Sequence, residues 1–161
     1  MRRIADSANI TVGNIYRYFE NKEALFNAVL APAQRAIDDL ESFDKTLHIT
    51  QIETKKEANA PVTYVMNLLR PYTRAIFILI FNSQVPPHQN VKIQLERLVI
   101  GKIKENYPGV FQDYFLKVVA SSFIQALFVV FRENINDIKK IQDMLVQLVV
   151  FYFRDVNNRL F

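Results

Sequence analysis

Three features of this 161-residue chain predict an all-α fold. Glycine and proline are scarce, at three and six residues, which disfavours a turn-rich β-sandwich and favours long helices. Apolar residues recur at i, i+3 and i+4 along much of the chain, the period of a helix with one buried face. Half of the residues are apolar, with thirteen Phe and seven Tyr, a composition that fills a core. The length suits one good core, or a small module on a larger helical body.

The elements follow in order. Met1 to Asn9 reads as a short helix with Ile4 and Ala8 on one face. Asn9 and Ile10 make a turn, and Asn tolerates a left-handed backbone best after Gly. Thr11 is a good N-cap for a second short helix, in which Ile15 and Phe19 share a face. Asn21 caps a long third helix running to about Phe43. Lys45 to Asn59 is polar and uneven and sets no boundary. Pro61 is expected in the first turn of the next helix, and Pro71 divides Val62 to Phe81 into two. Val85, Pro86, Pro87 and His88 make a loop. Asn90 to Tyr107 is an amphipathic helix stopped by Pro108 and Gly109. Two strong helices close the chain, Val110 to about Glu133 and about Asp137 to Asn157, joined by a short antiparallel turn at Asn134 to Asn136.

The last two helices are apolar over a wide arc. A helix half-buried in its own domain needs an apolar stripe of only about 100°. The surplus points to a second partner, most simply the same helix pair from another copy, with Phe123, Leu127, Val130, Leu145, Val149, Tyr152 and Phe153 as the expected interface. The competing reading is a fully internal helix pair. The central helices carry Tyr64, Met66, Tyr72, Phe77 and Phe81, and Phe115 and Phe123 arrive from later in the chain. A bundle with so many aromatics encloses an apolar or planar ligand, or uses the same residues as plain core.

Composition excludes several functions. There is no cysteine, so disulfides and thiolate metal sites are excluded. His48 and His88 lie far apart with no ligand spacing around them, and no metal is expected. No phosphate-cradling glycine loop and no nucleophile with a nearby base appears, and Asp38-Asp39 reads as a solvated helix face. No enzyme activity and no cofactor is expected. The amino end is polar and the longest apolar run, Ala75 to Phe81, is too short for a bilayer, so the expected site is the cytoplasm with no membrane partner.

The chemistry concentrates in the front segment, Ile4 to Leu25. A helix that enters the major groove needs a small or polar first turn, then side chains that reach phosphate. Thr11 both caps and offers a phosphate bond, Val12 suits a thymine methyl, Gly13 permits close backbone approach, and Asn14 donates to and accepts from a base edge. Tyr16, Arg17 and Tyr18 add hydroxyl and guanidinium donors, and Lys22 sits at a helix N-terminus, which itself favours phosphate. Arg2, Arg3, Arg17 and Lys22 stand against Asp6 and Glu20, leaving +2 over the first 22 side chains. Any reading of DNA here rests on geometry more than on bulk charge.

The pattern Ile4-Ala5, Ala8, Ile10-Thr11, Gly13, Ile15-Tyr16-Arg17-Tyr18-Phe19, Asn21-Lys22-Glu23 and Leu25 resembles the TetR family of bacterial transcriptional regulators over about 25 residues. The resemblance implies that Thr11, Val12, Gly13, Asn14, Tyr16, Tyr18 and Lys22 meet double-stranded operator DNA, with Arg3 and Arg17 on phosphate. It makes Ile4, Ala8, Ile10, Ile15 and Phe19 the hydrophobic centre. It also implies an all-helical ligand domain whose last two helices form a homodimeric four-helix bundle.

Two departures matter. Asn9 stands where the family usually has Gly, which is benign. The family's first helix is not found ahead of Ile4, and burial worth roughly 1.5–3 kcal/mol per large side chain goes with it. The expectation is therefore an N-terminally shortened regulator. Residues 1–25 would be an incomplete helix-turn-helix domain continuing into a linking helix to about 43, and 44–161 a ligand-binding and dimerisation domain. The expected function is repression relieved by a small-molecule effector. The alternative is a helical ligand-binding or interaction dimer that does not bind DNA in this shortened form.

Overall fold

The computed structural model describes residues 1–41, 52–81 and 91–154, and within these not the side chains of Glu41, Ile80 and Phe81. His48, His88, the 85–88 loop and the ends expected near Phe43 and Asn157 lie outside the described residues. The described residues form α-helices and no strand: α1 Arg2–Ala8, α2 Val12–Tyr18, α3 Lys22–Glu41, α4 Lys55–Leu69, α5 Thr73–Phe81, α6 Val91–Asn106, α7 Asp113–Asn134 and α8 Ile138–Phe153.

Local signals explain most of the boundaries. Asn9 ends α1 in the left-handed region, at φ 54° and ψ 43°. There the Ile10 amide donates to Ala5 O at 3.0 Å, and the Asn9 amide bonds back to Ala5 O and Asp6 O, which closes the helix end. Thr11 caps α2, its Oγ1 accepting from the Asn14 amide at 3.2 Å. Asn21 Oδ1 accepts from the Ala24 amide at 2.8 Å and starts α3. Asp137 caps α8 by accepting from the Lys140 amide at 3.0 Å.

Two helix starts differ from the sequence expectation: α7 begins at Asp113, three residues after Val110, and α4 begins early. Pro61 does not open α4; the helix begins six residues earlier, at Lys55. The cause is a capping box. Thr54 Oγ1 accepts from the Glu57 amide at 3.3 Å, while Glu57 Oε2 accepts from the Thr54 amide at 2.9 Å. Those backbone bonds, first from Glu53 and then from Thr54, with the Thr54 hydroxyl, hold the Glu57 carboxyl below its ordinary value. Pro71 acts as expected and sits in a 3₁₀ turn, Arg70–Tyr72, that separates α4 from α5.

Two apolar clusters hold the body together. The larger joins Leu30, Ala33, Ala36 and Ile37 of α3 to Leu69, Ile76, Leu79, Val91, Ile103, Leu116, Ile124 and Phe153. The smaller packs Ala58, Val62 and Met66 of α4 on Val130 and Phe131 of α7 and on Ile141, Leu145 and Val146 of α8. α3 is thus half connector and half core. It is also tied to α6 by side chains. Gln34 Nε2 donates to Asp38 Oδ1 at 3.0 Å and to Gln94 Oε1 at 3.2 Å, and Gln94 Nε2 donates to the same Asp38 oxygen at 2.8 Å.

α7 is, among the described helices, the one long and apolar enough to cross a membrane, with mean hydropathy 1.9 over its most apolar stretch. Judging by unbroken apolar runs missed it, because Ser121, Ser122 and Gln125 interrupt the run without lowering its average much. Only 39% of that stretch is buried inside the protomer.

Candidate nucleic-acid interface

The front module presents its polar residues outward. Ala5 and Ile15 are buried, at 1% and 5% exposure, and they join α1 to α2. Thr11, Gly13, Asn14, Tyr16, Arg17, Tyr18, Lys22 and Arg3 are all exposed, and Val12 is half-buried. Tyr18 is 76% exposed and Tyr16 52%, large values for tyrosines that have no solvent-side function. A helix of 3.6 residues per turn that buries Ile15 turns Tyr16 and Arg17 away from the body, while Tyr18 is exposed as the last residue of the short helix.

Gly13 is not demanded by packing within the chain. A Cβ at that position would meet nothing nearer than Thr11 Oγ1, at 3.9 Å. Its lack of a side chain matters only to something approaching from outside.

The expected hydrophobic centre is only partly closed. Ile15 is buried and Phe19 half-buried, but Ile4 and Ile10 are 42% and 44% exposed, and Ala8 is exposed as well. Ile4 and Ala8 instead line an open groove with Arg2, Arg3, Ser7 and Lys22. Sequence reasoning passed over Arg2. Its neighbour in space, Lys22, lies twenty positions on, and only the fold of α1 against the start of α3 gathers the three cations.

The body contains a cavity of about 230 Å³ between α3, α4, α6, α7 and α8. Of the residues expected around a ligand, Phe123 alone lines it. Tyr64 is 49% exposed and Phe115 45% exposed, Met66 belongs to the smaller core, and Tyr72 and Phe77 are half-buried elsewhere. The side chain of Phe81 lies outside the described residues. The reason is angular. Val62, Val65 and Leu69 make the inward face of α4, and Tyr64 falls on the opposite one.

The residues expected at a dimer interface are covered to differing degrees within the protomer. Phe123, Val130, Leu145 and Phe153 are buried in the protomer, and Leu127, Val149 and Tyr152 are half-buried against its cores. Side chains already covered within one chain are not free to cover another. The apolar surplus of the last two helices is real but sits on the other side, at Tyr114, Phe115, Val118 and Val129 of α7 and Phe151 of α8, each at least 40% exposed.

Residues 1–29 match the family described as bacterial regulatory proteins, tetR family. No curated protein and no solved structure matches the chain. The match covers the two short helices, the turn between them and the start of α3, the same residues whose caps and outward face are described above. Through this front module, residues 1–29, the chain is similar to the tetR family of bacterial regulatory proteins.

Proposed function

We propose that the chain is a cytoplasmic, DNA-binding transcriptional repressor that works as a homodimer and leaves its operator when a small molecule occupies the helical body. One observation carries this reading. The outward-facing reader, Thr11 to Tyr18, is mounted on α3, and the far end of α3, at Ile37 and Leu40, forms a wall of the internal cavity. A helix of twenty residues spans about 30 Å, so α3 runs from one site to the other, with Pro32 inside it.

In this reading residues 1–25 are the reader and 44–161 the ligand and dimer domain, with α3 bridging them. Thr11, Val12, Gly13, Asn14, Tyr16 and Tyr18 face bases and phosphates, and Arg2, Arg3, Arg17 and Lys22 face phosphates. The second copy docks on the exposed stripe Tyr114, Phe115, Val118 and Val129 with Phe151. Two readers then meet half-sites about 34–36 Å apart. An occupant that spreads α3 from α6 strains the Gln34–Asp38–Gln94 bonds and changes that spacing, which costs affinity for DNA.

The test is selection of binding sites from a pool of randomised duplexes, followed by titration of the winner. Enrichment of a two-fold symmetric site supports the reading. Tyr18→Ala then weakens binding by about 1–3 kcal/mol and leaves dimerisation unchanged. A second reading, a ligand-binding dimer without DNA affinity, is favoured by the exposed Ile4 and Ile10 of the module. It predicts no enriched duplex even at low salt.

A further inference from the structure

The wall of the cavity says what kind of molecule it suits, an inference that rests on the reading of the chain as effector-responsive. Apolar side chains such as Ile37, Leu98, Val99 and Phe123 surround the space, and among the described residues that line it Lys102 of α6 is the charged one. Among the described residues no buried side-chain polar atom lacks a partner. A hydroxyl or amide pushed into such a space gives up water and gains no bond, so the body of the occupant is apolar.

Lys102 decides the other end. Its side chain is only 18% exposed, and its Nζ lies 2.9 Å from Oε2 of Glu105, whose side chain is 54% exposed. Glu105 is free to turn into water at little cost, because ion pairs of exposed groups are weak. The stem of Lys102 is covered along the wall, and its ammonium stands at the edge of the space beside the Glu105 carboxylate. An occupant's carboxylate is a direct substitute for Glu105, whereas a cationic head would meet the ammonium with like charge.

Size follows from volume. An apolar cavity of about 150 Å³ accepts a benzene, six heavy atoms, so 230 Å³ accepts about nine in proportion. We propose that the cavity binds an apolar monocarboxylate of about that chain size, its chain among Ile37, Leu98, Val99 and Phe123 and its carboxylate on Lys102 Nζ. Octanoate is the probe, and 1-octanol is its neutral counterpart.

Calorimetric titration of the whole chain provides the test. Octanoate is expected to bind roughly tenfold or more tighter than 1-octanol, as a charge-assisted contact requires. Lys102→Met keeps the stem length, so it should abolish that preference while still binding 1-octanol. Lys102→Arg should restore it. Leu98→Trp fills the space and should remove both ligands. Equal affinity for acid and alcohol overturns the proposal, as does an acid preference that survives Lys102→Met, or binding that survives Leu98→Trp. Should Lys102→Met not fold, the wild-type and Lys102→Arg preferences decide alone. Octanoate that binds as described yet leaves a bound operator in place supports this inference and defeats the repressor-release reading. An operator complex with no octanoate affinity does the reverse.

Discussion

The front module and the helical body solve opposite problems. Among residues 1–21 only Ala5 and Ile15 are buried, and the two short helices are defined by caps and turns at Asn9, Thr11 and Asn21. The body instead buries large side chains from six helices in two clusters, with few polar groups inside. One region spends its side chains on a partner outside the chain, and the other on itself. The difference teaches where to look for function: at exposed tyrosines and a glycine with open space around it in front, and at an unfilled space and an uncovered stripe in the body.

The largest effect should come from the body's core. Ile141 has 0% exposure, so Ile141→Ala is expected to cost about 2–5 kcal/mol in urea unfolding followed by circular dichroism. Ile15→Ala in the module should abolish operator binding yet leave the body's unfolding midpoint in place. A common loss of midpoint would show that the two regions unfold as one, and the contrast would fail.

The next effect concerns the uncovered stripe. Val118 is 50% exposed, and Val118→Asp is expected to shift the protein from dimer to monomer in sedimentation velocity, with a weakening of about 2 kcal/mol or more. Its helical content should not change. A dimer that survives this substitution moves the second copy to another face.

Gly13 sharpens the comparison with two opposite signs. Gly13→Ala meets no clash within the chain and should stabilise the module by up to about 1 kcal/mol. It should also lower operator affinity roughly tenfold, or about 1.4 kcal/mol, because the new methyl occupies the approach to DNA. Tighter DNA binding by the variant would remove Gly13 from the interface.

The smallest effect is a matter of pH. The folded carboxyl of Glu57 titrates below its ordinary value, so its bonds to Glu53 and Thr54 are present above the unfolded value of about 4.3. They are lost as pH falls through the lowered folded value. Protection of the first-turn amides of α4 against exchange should therefore fall in acid, and Glu57→Gln should flatten that response. Exchange with no dependence on pH beyond its chemical rate would refute the capping box.

Where elements begin and end was largely legible in the chain. Thr11, Asn21, Pro71 and Asp137 stand one or two positions from the boundaries that they cause, and the outward places of Tyr16 and Arg17 follow from burying Ile15. The start at Lys55 has its signal in Thr54 and Glu57, which stand inside the uneven polar stretch Lys45 to Asn59. Site residues in the body were far less legible. Sequence offered Tyr64, Phe77 and Phe115 as cavity lining because they are aromatic, and the cavity took Leu98, Val99 and Lys102 instead.

What the sequence by itself determined is therefore the helical class, the capped front module and the list of its outward side chains. These depend on interactions between residues a few positions apart, which the order of residues states directly. Which apolar residues of α7 and α8 are core and which are uncovered, which of them surround a space, and that Arg2 and Lys22 line one groove were decided only in three dimensions. A helix that is apolar nearly all round carries no mark of which side its neighbours will take. That choice belongs to the packing of α3, α4 and α6 against it.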